Sequence, residues 1–386
     1  MNGCFGFCAF FVPRLQGLKL TESTRSKLSS FSDPLLTMKK IKIGNHRFTH
    51  NSSPFIVAEV GINHNGDLEK AYEMIEIAKD VGCNSVKFQT FKASELIEDP
   101  ELTYTYKSQG KEVTESMLDL FTRYEFDEKQ WLKIKDRCNQ KNIHFLSTPQ
   151  NHSDLKTLQK VGIDAIKVGS DDFNNVHLLK TYAKSKLPIV LSTGMANEEE
   201  IQFSLEEVGA LEGYPIILLL CVSQYPTPLE VANLSRIRTF KRKYPEIPIG
   251  FSDHTEGSFA STLAVANGAV FIEKHFTLDK ELPGPDHWFS SNPEELKELV
   301  KNCHLAYRAM GSPELSPSRE EIEMRKLARR SVVAIADIKK GDRFTESNLG
   351  LRRPGIGIEP KNYESILGKE AKTDIKSGTL LSEENY

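Results

Sequence analysis

The stretch from Ile249 to His275, IGFSDHTEGSFASTLAVANGAVFIEKH, holds the unit from which the fold of the chain is predicted. Its apolar runs favour strands at Ile249–Ser252 and Phe271–His275, and the segment Ser258–Asn267 between them has the amphipathic spacing of a helix. Strands that run in the same direction need such a crossover, because a tight turn joins only antiparallel neighbours. The unit therefore predicts a parallel sheet with helices packed outside it.

The same alternation of strand and helix runs back to Pro54. Eight such units favour a closed (β/α)8 TIM barrel of about 250 residues over an open doubly wound sheet. The longest interruption, Phe91 to Phe126, is too long for a plain loop and predicts an active-site insertion or lid. The other six strands are predicted at Phe55–Val60, Ser85–Thr90, His144–Ser147, Ala165–Gly169, Ile189–Ser192 and Ile216–Val222.

A chain of 386 residues exceeds what one hydrophobic core usually organises, so a large and a small domain are expected. A stretch rich in proline and serine follows the barrel segment and marks the linker. The divisions are 1–37, predicted to be a disordered extension before a functional start at Met38; 38–310, the barrel; 311–329, a linker with a short helix; and 330–386, a small, mostly β domain.

Composition excludes several classes of partner. Lysine and arginine total 50 against 53 aspartates and glutamates, a net charge of -3, so neither nucleic acid nor membrane is expected as a partner. The six cysteines lack metal-ligand spacing, which favours a reduced cytoplasmic location. No apolar run reaches the roughly 20 residues that a membrane-spanning helix needs.

Polar side chains stand at the carboxyl ends of nearly all the predicted strands. In a barrel these ends meet at one mouth, where active sites are built. Two lysines and several hydroxyls there would suit a phosphorylated, carboxylated ligand, although each taken alone also fits a salt bridge or a turn. These anion-site residues are Lys87, Thr148, Lys167, Ser170, Ser192 and Ser252.

Two histidines on neighbouring strand ends, His254 and His275, are predicted to share a divalent ion. The alternative for each is a hydrogen-bonded structural histidine. Glu59 and Asp286 are candidates for contacts with sugar hydroxyls or for proton transfer, with a surface salt bridge as the alternative.

Five strings on these strand ends resemble the N-acetylneuraminate (sialic acid) synthase family. They are AEVGINHNG at 58–66, VKFQT at 86–90, FSDHT at 251–255, EKHFTLD at 273–279 and GPDH at 284–287. The C-terminal part, RSVVA at 330–334 through LRRPG at 351–355, is similar to the antifreeze-like (SAF, β-clip) domain of these enzymes. The resemblance implies a TIM barrel followed by a SAF domain.

The resemblance also implies ligands and roles. Phosphoenolpyruvate would bind Lys87, Thr148, Lys167, Ser170, Ser192, Ser223 and Ser252, and the amino sugar would bind Glu59, Gln89, Tyr225, Asp286 and Arg353. The catalytic residues would be Glu59, Lys87, Lys167 and Asp172, the last standing where many relatives have glutamate. A divalent ion, Mn²⁺ first and Mg²⁺ or Co²⁺ otherwise, would bind His254 and His275. Arg353 would reach the other subunit's barrel in a domain-swapped homodimer.

The implied reaction condenses phosphoenolpyruvate with N-acetylmannosamine and water to give sialic acid and phosphate. The nearest alternative is a legionaminate synthase acting on 2,4-diacetamido-2,4,6-trideoxymannose. Two further alternatives are a non-catalytic sugar-binding protein and an aldolase that uses Lys87 or Lys167 in a Schiff base.

Overall fold

The structure is a computed structural model that describes residues 41–49 and 51–386. The chain divides into two compact units, with the boundary between Gly311 and Ser312. The predictions made for residues 1–37 and for Met38 lie outside the described residues.

The first unit is a closed barrel of eight parallel strands, as predicted. Each strand pairs with the next along the chain, and the last pairs with the first, Phe271 lying opposite Phe55. The predicted strands agree with the observed ones to within two residues. The barrel strands are β3 (Phe55–Gly61), β4 (Ser85–Thr90), β7 (His144–Pro149), β8 (Ala165–Val168), β9 (Ile189–Ser192), β10 (Ile216–Cys221), β11 (Ile249–Asp253) and β12 (Phe271–His275).

Helices surround the barrel, and several begin at a side chain that caps their first turn. Asp127, Asn197 and Asn292 each form a capping box with the residue three positions on. Two of the helices, Val176–Ala183 and Ser235–Lys243, are short and bury at most two side chains each. The crossover helices are α1 (Leu68–Asp80), α4 (Glu128–Lys141), α5 (His152–Val161), α6 (Val176–Ala183), α7 (Glu198–Glu207), α8 (Ser235–Lys243), α9 (Phe259–Ala266) and α10 (Pro293–Met310).

An apolar plug fills the amino end of the barrel. A short hairpin, β1 (Lys42–Ile43) and β2 (His46–Arg47), precedes the first barrel strand. Behind it, the ring of Phe48 lies 5.5 Å from that of Phe55, which stacks on Phe271 at 5.5 Å. This end of the barrel is therefore a packed core.

The predicted insertion after the second barrel strand is ordered. It contains α2 (Ala93–Leu96), the hairpin of β5 (Thr103–Ser108) and β6 (Lys111–Ser116), and α3 (Met117–Tyr124). The hairpin is attached to the loop that follows β12: Gly284 N donates to Ser108 Oγ at 3.1 Å, and Gln109 Nε2 donates to Glu281 O at 2.9 Å.

The second unit has its own small core, built around Val332, Phe344, Ile366 and Ile375. Its elements are α11 (Arg319–Ala328), β13 (Ser331–Ala334), β14 (Leu349–Arg352) and α12 (Tyr363–Ile366), with β13 and β14 paired antiparallel. Leu380 forms an isolated antiparallel bridge to Val333. Among the described residues no helix is long and apolar enough to cross a membrane.

Candidate active site

A cavity of about 310 Å³ opens at the carboxyl ends of the barrel strands, and all eight strands contribute to its lining. Because the strands are parallel, their last residues meet at this one end. The lining residues are Glu59, Lys87, Gln89, Thr148, Gln150, Lys167, Gly169, Ser170, Asp171, Ser192, Met195, Cys221, Ser223, Tyr225, Ser252, His254, Glu273 and His275.

Two buried lysines and two buried carboxylates form the floor of this cavity. Lys87 Nζ lies 2.8 Å from Glu59 Oε2 and 3.8 Å from Glu273 Oε1. Lys167 Nζ lies 3.5 Å from the same Glu273 oxygen. Buried charges of this kind persist only when they are paired. The ion pairs therefore hold both ammonium groups at one place in the cavity.

The pKa values of Lys87, Glu59 and Glu273 are shifted in different directions. Burial alone would lower the pKa of Lys87, but the carboxylates of Glu273 and Glu59 outweigh it and raise this pKa. Burial raises the pKa of Glu59, and the ammonium of Lys87 opposes this rise. Although burial also acts on Glu273, Lys167 and Lys87 lower its pKa. Lys87 thus remains cationic, and of the two carboxyl groups Glu59 is the one better able to take up a proton.

Hydroxyl groups stand around the lysines. Lys87 Nζ donates to Thr148 Oγ1 at 3.3 Å. The hydroxyls of Ser192 and Ser223 are buried without a hydrogen-bond partner, so they are available to a bound oxyanion. Gly194 permits this crowding, because a Cβ there would lie 2.3 Å from Ser223 Oγ and 2.6 Å from Ser170 Oγ.

His254 and His275 lie side by side at the rim, with ring centroids 5.5 Å apart. His254 Nδ1 lies 2.8 Å from Val222 O, so it carries the proton and leaves Nε2 as an electron-pair donor. Burial and the adjacent His254 lower the pKa of His275 well below its usual range, and its Nδ1 is buried without a hydrogen-bond partner. Two adjacent imidazoles whose Nε2 (His254) and Nδ1 (His275) have no protein partner fit a divalent transition metal.

A second cavity of about 330 Å³ joins the first through three shared residues, Gln89, Tyr225 and His275. It is lined otherwise by the hairpin and by the loop after β12: Tyr104, Tyr106, Lys107, Pro285, Asp286, Trp288 and Phe289. Asp286 Oδ2 lies 3.9 Å from His275 Nδ1, at the junction of the two cavities. Burial and the nearby Glu59 raise the pKa of Asp286 to about 7.

Most residues predicted for the site lie together in the first cavity, and Asp286 lies in the second. Asp172 does not line either cavity: its Oδ1 accepts from Asn175 Nδ2 at 3.0 Å beside the start of α6. Its neighbour Asp171 takes the place in the lining, because the chain turns immediately after β8. Arg353 follows β14 in the second unit and is exposed.

Sequence reasoning missed several lining residues. Glu273 stands in a strand-end string that was quoted, and its place between two lysines emerges only when the barrel closes. Tyr104, Lys107 and Trp288 were missed because the hairpin that brings them together had no recognised strand pattern.

Comparisons with known proteins agree with this geometry. A model described as the NeuB family matches residues 74–314, and a SAF domain model matches residues 329–385. The chain belongs to the NeuB family. It is 40% identical over 330 residues to a protein named N,N'-diacetyllegionaminic acid synthase from Campylobacter jejuni, covering 85% of this chain and 98% of that one. A protein of the same name from Legionella pneumophila is 37% identical over 332 residues, covering 85% and 93%.

Among solved structures, an N-acetylneuraminic acid synthetase from Leptospira borgpetersenii superposes on this NeuB-family chain with a TM-score of 0.67 and 38% identity. The match covers 75% of this chain and 96% of that one. The predicted family, the barrel with a SAF domain and the expectation of a nonulosonic acid synthase are confirmed. The relatives' names differ in the sugar acid that they give.

Proposed function

We propose that the chain condenses phosphoenolpyruvate with the open-chain aldehyde of an N-acetylated amino sugar, giving a nonulosonic acid and phosphate. The carrying observation is the pair of buried, ion-paired lysines among free hydroxyls, beside two adjacent histidines. A fixed cationic site of this kind suits a compact ligand that bears both phosphate and carboxylate.

Phosphoenolpyruvate is proposed to bind Lys87, Lys167 and the hydroxyls of Thr148, Ser170, Ser192, Ser223 and Ser252, which all line the first cavity. There C3 of phosphoenolpyruvate attacks the aldehyde carbon, water adds at C2, and phosphate leaves with cleavage of the C–O bond. The lysines hold the anionic groups through these steps and stabilise the charge that develops.

Proton transfer is assigned to Glu59. Its Oε1 accepts from Gln89 Nε2 at 3.2 Å, which places the carboxyl group where the two cavities meet. A proton given to the aldehyde oxygen as the C–C bond forms would balance the charge there. The raised pKa of Glu59 makes the protonated form accessible for this step.

A divalent ion is proposed on His254 and His275, in agreement with their free ring nitrogens. Among the described residues no group of three or more histidine, cysteine, aspartate and glutamate side chains is arranged to hold an ion, so other ligands would come from water or substrate. Such an ion would polarise the aldehyde carbonyl as a Lewis acid. Mn²⁺ is proposed first.

The acceptor is proposed to occupy the second cavity, with Gln89, Tyr225 and Asp286 near its reacting end. Two sugars are N-acetylated and have an open-chain aldehyde: N-acetylmannosamine, the first expectation, and 2,4-diacetamido-2,4,6-trideoxymannose. Arg353 is proposed to complete the sugar site from the SAF domain of a second subunit in a domain-swapped homodimer. The four described cysteines are free and buried, which supports a reduced cytoplasmic location.

A Schiff-base aldolase is disfavoured, because a nucleophilic lysine needs a lowered pKa and the pKa of Lys87 is raised.

A test that separates the condensation from the aldolase reaction uses phosphoenolpyruvate with ¹⁸O in the bridge between carbon and phosphorus. Phosphate release that requires an N-acetylated aldose, stops with a chelator and carries the label into phosphate supports the proposal. Unlabelled phosphate, or trapping of the enzyme by borohydride, contradicts it.

A further inference from the structure

One buried ion pair near the carboxyl end of the barrel has no part in the proposed reaction. Lys274 Nζ lies 3.2 Å from Asp253 Oδ2, and both side chains are at most 2% exposed. Neither residue lines the first or the second cavity. Burying two charges costs about as much free energy as their attraction returns, so such a pair is a weak source of stability. A role in fixing the register between two elements is the better-supported explanation.

The strand register places this ion pair directly behind the two histidines of the first cavity. β11 and β12 run parallel, and Asp253 lies opposite Lys274 across the two strands. Side chains alternate between the faces of a strand, so these two side chains point away from the barrel interior. The next residue on each chain segment, His254 and His275, lines the cavity. The register of the ion pair is therefore also the register of the two histidines.

The ion pair also holds the turn that carries His254. Asp253 Oδ1 accepts from Thr255 N at 2.8 Å, and the Lys274 ammonium donates to Thr255 O. Asp253 Oδ2 accepts in addition from Ser261 Oγ at 2.6 Å, which attaches the turn to helix α9. Because the ion pair binds both backbone polar groups of Thr255, it fixes the backbone on one side of His254.

The two histidine rings are held in different ways. His254 Nδ1 is bonded to Val222 O at 2.8 Å, which orients its ring. His275 Nδ1 is buried without a hydrogen-bond partner, and its ring packs against that of Phe289 at 5.2 Å. The position of the His275 ring therefore depends strongly on the backbone of β12. Two ligands can share one ion only while the separation of their backbones is maintained, and the ion pair joins these two backbones.

We propose that Asp253 and Lys274 are positioning residues for the divalent ion. Their ion pair holds β11 and β12 in the register at which His254 and His275 can share one ion, and it fixes the turn that carries His254. Neither residue touches the ion. This inference rests on the metal site of the proposed function and adds to it two residues that act through the histidines.

The test titrates the full-length chain with Mn²⁺ and measures the free ion by electron paramagnetic resonance. Lys274→Met keeps most of the side-chain volume and removes the cation. We expect the Kd for Mn²⁺ to rise about 10- to 100-fold, the usual effect of losing a group that orients metal ligands. The affinity for phosphoenolpyruvate, measured by calorimetry without metal, should stay constant, because the lysines of the anion site are unchanged.

A second variant separates positioning from folding. Lys274→Met leaves a buried carboxylate without its cation, and an unpaired buried charge is destabilising. Asp253→Asn combined with Lys274→Met removes both charges and keeps an oxygen that can accept from Thr255 N. This double variant should be the more stable of the two and should still show the raised Kd for Mn²⁺, because the bond between the strands is lost.

Lys135→Met is the matched control. Lys135 forms an ion pair with Asp164 at 3.4 Å, just before β8 begins, and lines neither cavity. Its loss should lower the free energy of unfolding and leave the Kd for Mn²⁺ unchanged. A wild-type Kd in the folded double variant, or an equal loss of phosphoenolpyruvate affinity, overturns the inference. A wild-type chain that binds no Mn²⁺ overturns it together with the proposed metal site, and phosphate release that requires an N-acetylated aldose would leave the condensation standing.

Discussion

The two ends of the barrel interior differ in chemical character, although residues of the same strands contribute to both. At the amino end Phe48, Phe55 and Phe271 are buried against one another with no charged side chain in the cluster. At the carboxyl end of those strands Glu59 and Glu273 are equally buried, but are charged or titratable and surround an open cavity. Four residues on β3, from Phe55 to Glu59, and two on β12, from Phe271 to Glu273, separate the packed end from the cavity.

The amino end contributes mainly to the stability of the fold, and the carboxyl end supplies the groups proposed for the reaction. Packed rings at the amino end contribute folding free energy and require no ligand. Buried ion pairs at the other end cost desolvation that their mutual attraction only partly returns, so they are poor sources of stability. Substitutions at the two ends should therefore affect different measurements.

Lys167→Met should produce the largest effect, at the carboxyl end. It removes one of the two cations proposed to hold phosphoenolpyruvate, and Glu273 keeps Lys87 as its partner. We expect kcat/KM for phosphoenolpyruvate to fall about 10³-fold, corresponding to about 4 kcal/mol of transition-state stabilisation. Steady-state phosphate release measures this loss.

Lys184→Met, in the loop after α6, is the control for removing a lysine outside the cavity. It should leave kcat/KM unchanged. An equal loss of activity in the two variants, or wild-type activity in Lys167→Met, would contradict the assignment of the anion site.

Phe48→Ala should show the opposite behaviour at the amino end. Its side chain is 1% exposed and contacts two further phenylalanines, so its removal leaves a cavity. We expect the free energy of unfolding to fall by about 3 kcal/mol, and the activity of the folded fraction to stay constant. Denaturant titration and an assay at a temperature where both proteins are folded test the two parts. A variant that is stable but inactive would refute the separation.

The sequence predicted the barrel end better than it predicted the second cavity. The hydrophobic periodicity, the spacing of the crossover helices and the polar residues at the strand ends are local signals. They were enough to place Lys87, His254 and His275 at one mouth of the barrel. Asp172 shows where such signals fail. The chain turns directly after β8, so Asp171 lines the cavity in its place. The pairing of Lys107 with Trp288 joins positions far apart in the sequence, and nothing local in either segment encodes it.

His64 makes the free energy of unfolding depend on pH. It is fully buried and stacks on Phe126 at 4.3 Å, and burial lowers its pKa to about 3. Below its unfolded value of about 6.5 the unfolded chain binds a proton that the folded chain excludes, so stability falls as the pH drops towards 3. At pH 5 this costs about 2 kcal/mol.

His64→Asn keeps an acceptor for Gly66 N and removes the titration. The loss of unfolding free energy between pH 7 and pH 5 should therefore shrink by about 2 kcal/mol relative to the wild type. Exposed His177→Asn is the control and should leave the loss unchanged. If His64→Asn has the same pH dependence as the wild type, the acid sensitivity lies elsewhere.

Arg353→Ala should have the smallest effect, because Arg353 is proposed to contact the acceptor sugar and not the anion site. The KM for the sugar should rise about tenfold, corresponding to about 1.4 kcal/mol, while the KM for phosphoenolpyruvate stays constant. Neighbouring Arg352→Ala, also exposed in the second unit, is the matched control.

Mixing Arg353→Ala subunits with Lys167→Met subunits tests whether the site is shared between subunits. A shared site between subunits predicts that such heterodimers regain one competent site, because one barrel then has an intact anion site and receives its arginine from the partner. Activity no greater than that of the separate variants would mean that each chain builds its sugar site alone.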